Sequence, residues 1–294
     1  MSAKIGKWEV KYRLHNERQW EKLVGEPHYW YADPLLFTWK EKTYLFTEAY
    51  DEKKQIGRLA ISEYKNGRFT IPEIIIKKPY HLSYPCVFEN KGIVYMIPET
   101  SQNKTLELYV ASESLKHWEK KCTLLKGIQL VDTTIIQEGN KNYLYSYSDF
   151  NNQYVSYLFE LDLGRLELNL IEKKQRNKNQ YRSAGNIFFY KKSKYMPFQN
   201  NVSLYGQEIL IRKADTIKDI LGENVCCDVI PDSLKNQSGI EADITRTHTL
   251  SYDDKLEVID VLREFPDRFA YLKTFYRRLR NLCFKILRRN VLKL

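Results

Sequence analysis

Four stretches of this 294-residue chain repeat one pattern at a period near fifty residues, and that period limits the possible architectures more than any other feature. In each, an apolar run ends seven residues before a tyrosine: Phe37 before Tyr44, Phe88 before Tyr95, Ile136 before Tyr143 and Phe188 before Tyr195. The intervening residues are polar or include glycine, as in Lys40-Glu41-Lys42 and Asn90-Lys91-Gly92, which reads as a β-hairpin repeated four times. A third strand follows each hairpin, at Arg58-Leu59-Ala60-Ile61, Leu106-Glu107-Leu108-Tyr109, Val155-Ser156-Tyr157-Leu158 and Glu208-Ile209-Leu210-Ile211. A more divergent fifth unit runs from Thr247-His248-Thr249-Leu250, through a turn at Asp253-Asp254, to Leu256-Glu257-Val258-Ile259. Successive tyrosines lie 51, 48 and 52 residues apart, and three- or four-stranded units at that interval are propeller blades. No segment of helical period separates the strands, which argues against an alternating α/β sheet. The sequence therefore predicts an all-β, five-bladed β-propeller over residues 1–266, with the strand around Trp8-Glu9-Val10-Lys11-Tyr12 closing the ring.

The first strand of each propeller blade lines the axial channel, so equivalent positions converge there. Four residues before the end of each apolar run stand Asp33, Tyr84, Asp132 and Ala184. Arg182 lies close by in sequence, His248 falls on the fifth first strand, and the ends of the second strands add Glu48, Glu99 and Gln199-Asn200. Repeated polar residues at one level of a buried ring are unfavourable unless hydrogen-bonded, and point to a site. We read Asp33, Asp132 and His248 as catalytic. Trp30 (a stacking face for a sugar), Glu48, His81, Tyr84, Glu99, Arg182, Gln199 and Asn200 are read as substrate-contacting. The competing reading makes Asp33 and Asp132 turn residues that bond backbone amides. The five histidines show no metal-ligand spacing, so no metal site is assigned, although Asp33, Asp132 and Glu99 form a set that a divalent cation could use. Gly-rich phosphate loops and nucleophile elbows are absent from the sequence.

The formal net charge of +10 suggests nucleic acid until its distribution is examined. Nine of the 47 Lys and Arg residues fall between Arg268 and Leu294, where there is no acid, leaving 38 basic against 37 acidic residues in the body. A nucleic-acid partner is therefore not expected. The tail places Leu272, Phe275, Tyr276, Leu279, Leu282, Cys283 and Ile286 at helical spacing, which predicts a basic amphipathic helix over 267–294. Phe275, Arg277, Arg278, Leu279, Arg280, Phe284, Arg288 and Arg289 are its expected contacts with an anionic membrane surface. Docking of this helix on the protein or on a partner is the alternative. Mean hydropathy is −0.54 and no apolar run is long enough to span a membrane. Five cysteines without Cys-x-x-Cys spacing, and no apolar leader at Met1-Ser2-Ala3-Lys4-Ile5-Gly6, lead us to expect a cytoplasmic protein, peripheral at the inner face of the cell membrane.

The segments Tyr31-Ala32-Asp33-Pro34, His81-Leu82-Ser83-Tyr84-Pro85, Ile97-Pro98-Glu99-Thr100, Val131-Asp132-Thr133-Thr134, Arg182-Ser183-Ala184-Gly185 and Thr247-His248-Thr249 resemble the N-terminal domain of glucosamine inositolphosphorylceramide transferases. That domain in turn is similar to the five-bladed propellers of glycoside hydrolase families 43 and 32. The resemblance implies that Asp33 matches the first-blade base or nucleophile and Asp132 the carboxylate that tunes proton affinity. The hydrolases' general acid has no counterpart, since Ala184 and Tyr84 occupy the candidate positions. Glycoside hydrolysis needs that acid, whereas a sugar nucleotide brings a good leaving group and needs a base and phosphate partners. The resemblance thus implies a glycosyltransferase-like protein of bacterial surface (capsular) polysaccharide synthesis. It would move a sugar from a sugar-nucleotide donor to a lipid-linked glycan, with Asp33 as base and Arg182 and His248 near the leaving group. A non-catalytic glycan-binding module that assists a partner transferase is the alternative, followed by a hydrolase that uses Glu48 or Glu99 as its acid.

Overall fold

The computed structural model describes residues 4–222 and 244–266. The expected C-terminal helix, with Phe275, Arg277, Arg278, Leu279, Arg280, Phe284, Arg288 and Arg289, lies outside the described residues. Cys226, Cys227 and Cys283 lie outside them as well.

Five antiparallel sheets follow one another around an axis. The first blade consists of Tyr29–Trp39, Lys42–Asp51 and Ile56–Lys65, with Arg68–Phe69 and Glu73–Ile76 at its outer edge. The second contains Ser83–Asn90, Ile93–Glu99, Thr105–Ala111 and Trp118–Lys126. The third contains Val131–Glu138, Lys141–Ser148, Tyr154–Asp162 and Glu167–Arg176. In the fourth, the inner strand is split into Arg182–Ser183 and Phe188–Tyr190, both paired with Ser193–Asn200, and Glu208–Lys213 follows. Ile217–Leu221, the one α-helix among the described residues, stands after that strand, with Thr216 and Asp219 forming a capping box.

The fifth blade draws on both ends of the chain. Ile244–Arg246 and Leu250–Tyr252 pair with Leu256–Pro266, which pairs along its whole length with the N-terminal strand Lys4–Leu14, and Glu21–Lys22 completes the sheet. The segment Trp8–Tyr12 closes the ring as the sequence predicts. Burial shows the same closure: one apolar cluster fills each gap between adjacent blades. Val10, Leu256 and Val258 pack with Leu36 and Leu45 between the fifth and first blades. Phe46 and Leu59 meet Val87 and Met96, Leu106 and Leu108 meet Leu144 and Phe159, Tyr145 and Leu158 meet Met196 and Phe198, and Phe188 and Ile211 meet Leu250 and Val261. Five blades with five filled gaps form a ring; an open stack would fill four.

Strand direction fixes a mouth. Inner strands begin at the end carrying Asp33, Asp132 and Arg182, and second strands return to that end with Glu48, Glu99 and Gln199. Loops 52–55, 100–104, 149–153 and 201–207, which join second to third strands, therefore lie on this mouth face. In the fifth blade the equivalent junction is open, because Pro266 ends the second strand and its register partner Lys4 begins the third.

Candidate active site

Three inner strands share an unusual backbone feature where the polar ring was expected. Pairing in the first blade jumps from Ala32–Glu48 to Leu35–Phe46, in the second from Ser83–Glu99 to Cys86–Ile97, and in the third from Val131–Tyr147 to Thr134–Tyr145. Within these bulges Asp33, Tyr84 and Asp132 adopt φ of 49°, 43° and 46°. A left-handed conformation at a non-glycine residue costs on the order of 1–3 kcal/mol and persists only where its surroundings enforce it. The fourth blade makes its corresponding turn with Gly185 at φ 146°. The bulges send side chains across the axis, so that residues of different blades touch.

Asp33 is buried and held from three sides. One oxygen accepts the Tyr84 N–H at 3.1 Å, the other accepts the Thr249 hydroxyl at 3.1 Å, and His248 Nε2 lies 3.3 Å from that second oxygen. The other ring nitrogen of His248 lies 2.8 Å from Asp260 Oδ1. Asp260 also accepts the N–H groups of Asp33 (3.0 Å), His248 (3.1 Å) and Thr249 (2.9 Å). Trp8 stacks on the imidazole with ring centroids 4.0 Å apart, and Tyr205 meets it edge-on at 5.3 Å. Burial raises Asp33 to about 6, against the opposing pull of the nearby His248, while the charges of Asp132 and Asp260 push the same way as burial. For His248 burial acts downward, but the hydrogen-bonded Asp260 and the Asp33 charge outweigh it and raise the imidazole above its ordinary value.

A second group spans the third and fourth blades. Arg182 donates two hydrogen bonds to Asp132, Nε at 2.5 Å and Nη2 at 3.1 Å, and its Nη2 reaches Glu99 at 3.4 Å. Gln199 donates to Asp132 at 2.7 Å and to the Ser183 carbonyl at 2.9 Å. The guanidinium lies 5.5 Å from the Tyr205 ring. Burial raises Glu99 well above the usual carboxylate range despite Arg182, and the neighbouring Asp132 adds to the rise. Glu48 is raised likewise, by burial first and then by the charges of Asp33 and Glu99. His81 accepts the Gly57 N–H at Nδ1 (3.0 Å) and turns Nε2 to within 3.2 Å of Glu48. Trp30 stacks on Tyr50 at 4.4 Å, so its opposite face is the one left for a ligand, and Tyr50 stands 6.2 Å from His81.

The structure relocates five of the sequence-derived assignments. Tyr84 is fully buried, and its hydroxyl is shared between Thr134 (2.8 Å) and the Gly185 N–H (3.0 Å). With Leu35 and Cys86 it plugs the channel beneath the carboxylates, so it braces the floor instead of meeting substrate. Gln199 is buried and orients Asp132. Asn200, the next residue along the strand, necessarily points the other way and donates to Glu208. Arg182 is committed to Asp132, and His248 stands between two carboxylates, so neither cation is available to neutralise a diphosphate as expected. The competing view of Asp33 is half right: it does accept a backbone amide, that of the next blade.

Asp33, His248 and Asp260 each bring one ligand atom within 4.8 Å of the others. These side chains already serve one another and four backbone amides, and a cation would have to displace the imidazole proton they share. Asp132, from the set proposed on sequence, has its oxygens taken by Arg182 and Gln199. These residues fit a hydrogen-bond relay better than a metal centre.

Asp260, Trp8, Thr249 and Tyr205 were not identified from sequence. A signal for Asp260 existed: Glu48, Glu99 and Gln199 each stand four residues after the repeated tyrosine, and the same count from Leu256 reaches Asp260.

Residues 19–253 match the family described as Glucosamine inositolphosphorylceramide transferase 1, N-terminal. The chain belongs to this family. Glucosamine inositolphosphorylceramide transferase 1 of Oryza sativa subsp. indica is 26% identical over 204 residues, covering 66% of this chain and 27% of the rice protein. The Arabidopsis thaliana protein of the same name is 27% identical, with 66% and 26% covered. The chain therefore spans about a quarter of the length of these curated relatives. Among solved structures, a thermostable family-43 glycoside hydrolase superposes with a TM-score of 0.55 at 15% identity, covering 81% of this chain and 91% of the hydrolase. An exo-β-1,3-galactanase from Clostridium thermocellum gives 0.53 at 14%, with 74% and 59% covered. At these identities the likeness is one of fold, and it agrees with the five-bladed ring.

Proposed function

We propose that the propeller holds a glycan at its mouth and takes part in glycosyl transfer to it, with Asp33 as the base that receives the acceptor hydroxyl proton. The observation that carries this is a buried carboxylate at about 6, set among the groups of four other blades and beside His248. Such a group is ionised near neutrality yet basic enough to take a proton in the transition state. Asp260 supports His248, and Arg182 and Gln199 fix Asp132 next to them. The outer face of Trp30 offers a platform for a sugar ring. The family relationship supports transfer as the reaction, and an activated donor such as a sugar nucleotide is its source. Because Arg182 and His248 are already paired, we assign the donor's diphosphate to solvent or to a partner surface.

The reading extends to place. The basic segment Arg268–Leu294 supports attachment to an anionic membrane at the cytoplasmic face, where a lipid-linked glycan of bacterial surface polysaccharide synthesis would be presented.

A second reading has one observation in its favour. Glu48 and Glu99 hold their protons to higher pH than a solvated glutamate, so the acid that a hydrolase needs is available at the mouth after all. Purified full-length protein incubated with a panel of sugar nucleotides and oligosaccharide acceptors separates the two. Transfer predicts donor consumption that depends on acceptor and falls at least about 100-fold in Asp33→Asn. Release of reducing sugar from aryl glycosides, abolished by Glu99→Gln or Glu48→Gln, would establish hydrolysis. Glycan binding without turnover would leave only the non-catalytic module.

A further inference from the structure

We infer that the mouth face of the propeller docks directly on an anionic lipid surface, through the 201–207 loop of the fourth blade and the neighbouring 149–153 loop of the third. The inference rests on the glycan reading above and adds to it an orientation: the carboxylate site faces the membrane.

Exposed apolar side chains carry the first part of the argument. Val202 and Leu204 are 53% and 54% exposed, with Tyr205 beside them, and Phe150 on the adjacent mouth loop is 51% exposed. Three large apolar residues within four positions of one loop make up a patch, whereas scattered surface apolars need no explanation. Val24, on the connection entering the first blade at the same face, is also exposed. The patch is continuous with the site, because the loop that presents Val202 and Leu204 outward lays Tyr205 against Arg182 and His248.

Where the chain ends decides the occupant. Pro266 stands at the mouth end of its strand, in register with Lys4, so the 28 residues after it leave from this face. They contain nine Lys or Arg against a single acid, Asp267. Each such residue near an anionic leaflet strengthens binding about fivefold. Exposed Lys53 and Lys178 stand on other mouth-face connections. Apolar side chains that enter an interface, with cations around them, are the combination that anionic bilayers hold. A lipid-linked glycan would then meet the mouth without the protein leaving the surface.

Vesicle flotation of the full chain tests this. The probes are phosphatidylcholine vesicles and vesicles in which about a third of that lipid is replaced by phosphatidylglycerol, a fraction chosen to give a strongly negative surface. We expect binding to the anionic vesicles, about tenfold weaker for the double variant Val202→Ser, Leu204→Ser and unchanged for Phe189→Ser on the opposite face. A second measurement fixes orientation: Leu204→Trp should gain fluorescence quenching by brominated lipid, and Phe189→Trp should not. Failure of the full chain to bind anionic vesicles would overturn the proposal. So would undiminished binding by the loop double variant, or equal quenching at both tryptophans. Asp33→Asn should bind vesicles as wild type does, so turnover surviving in that variant would sink the functional reading while leaving the docking result untouched.

Discussion

At the scale of single residues, Asp33 combines a strained backbone with a disfavoured charge, and both have measurable consequences. Its raised proton affinity predicts that kcat/KM climbs with pH with a midpoint near 6; a midpoint near 4 would show that burial does not govern it. The sign for stability is opposite. The folded chain holds this proton at pH values where the unfolded chain has released it, so folding loses stability as pH rises from about 4 to about 6. The loss amounts to about 2–3 kcal/mol at neutrality. Asp33→Asn keeps one acceptor for the Tyr84 N–H and can donate to Thr249, so its thermal midpoint should decline less between pH 4 and 7 than that of wild type. A variant that tracks the wild-type curve would assign the decline to other groups. His248 behaves in the usual sense for a raised imidazole: its contribution is complete below about pH 6.5 and is lost as pH passes its higher folded value.

At the scale of strands and turns, the repeated bulge organises both floor and site. Gly185 allows the fourth blade to make it: a Cβ there would stand 1.9 Å from the Leu250 carbonyl oxygen, at a φ that side chains rarely adopt. Gly185→Ala should therefore lower stability by more than about 3 kcal/mol, read as a fall in the thermal midpoint of well over 5 °C. Tyr84→Phe leaves the Gly185 N–H without its partner and should cost about 1–3 kcal/mol. The hairpins were legible in sequence because each is built from contiguous residues, with a tyrosine marking the second strand in four of the five blades. Asp33 and Asp132 were legible because they occupy equivalent points of that repeat. The bulges were not, since an L-residue at positive φ leaves no mark in composition. Asp260 was missed because the fifth unit carries Leu256 where the others carry tyrosine. Asn200 was grouped with Gln199 although strand alternation permits only one of two adjacent residues to face Asp132.

At the scale of the whole molecule, stability depends on the fifth blade, where the two chain ends must find each other across the entire ring. Val10 is buried between Leu256, Val258 and the first blade, and Arg13 pairs with the buried Glu257 in the same strand pair. Val10→Asp should place an unpaired charge in that gap and abolish the single cooperative unfolding transition, with a larger radius in small-angle scattering. A variant that still melts in one transition would mean that four blades and their gaps suffice. Because Lys4 and Pro266 are register partners, a short linker between them would convert the fold into a circle without moving any strand. New ends could then be opened between the second and third blades, after Lys126, so that every sheet is built from one continuous run of chain. Such a permuted protein would keep the carboxylate site while shedding residues 267–294, and, with every sheet zipping from neighbouring strands, it should fold faster.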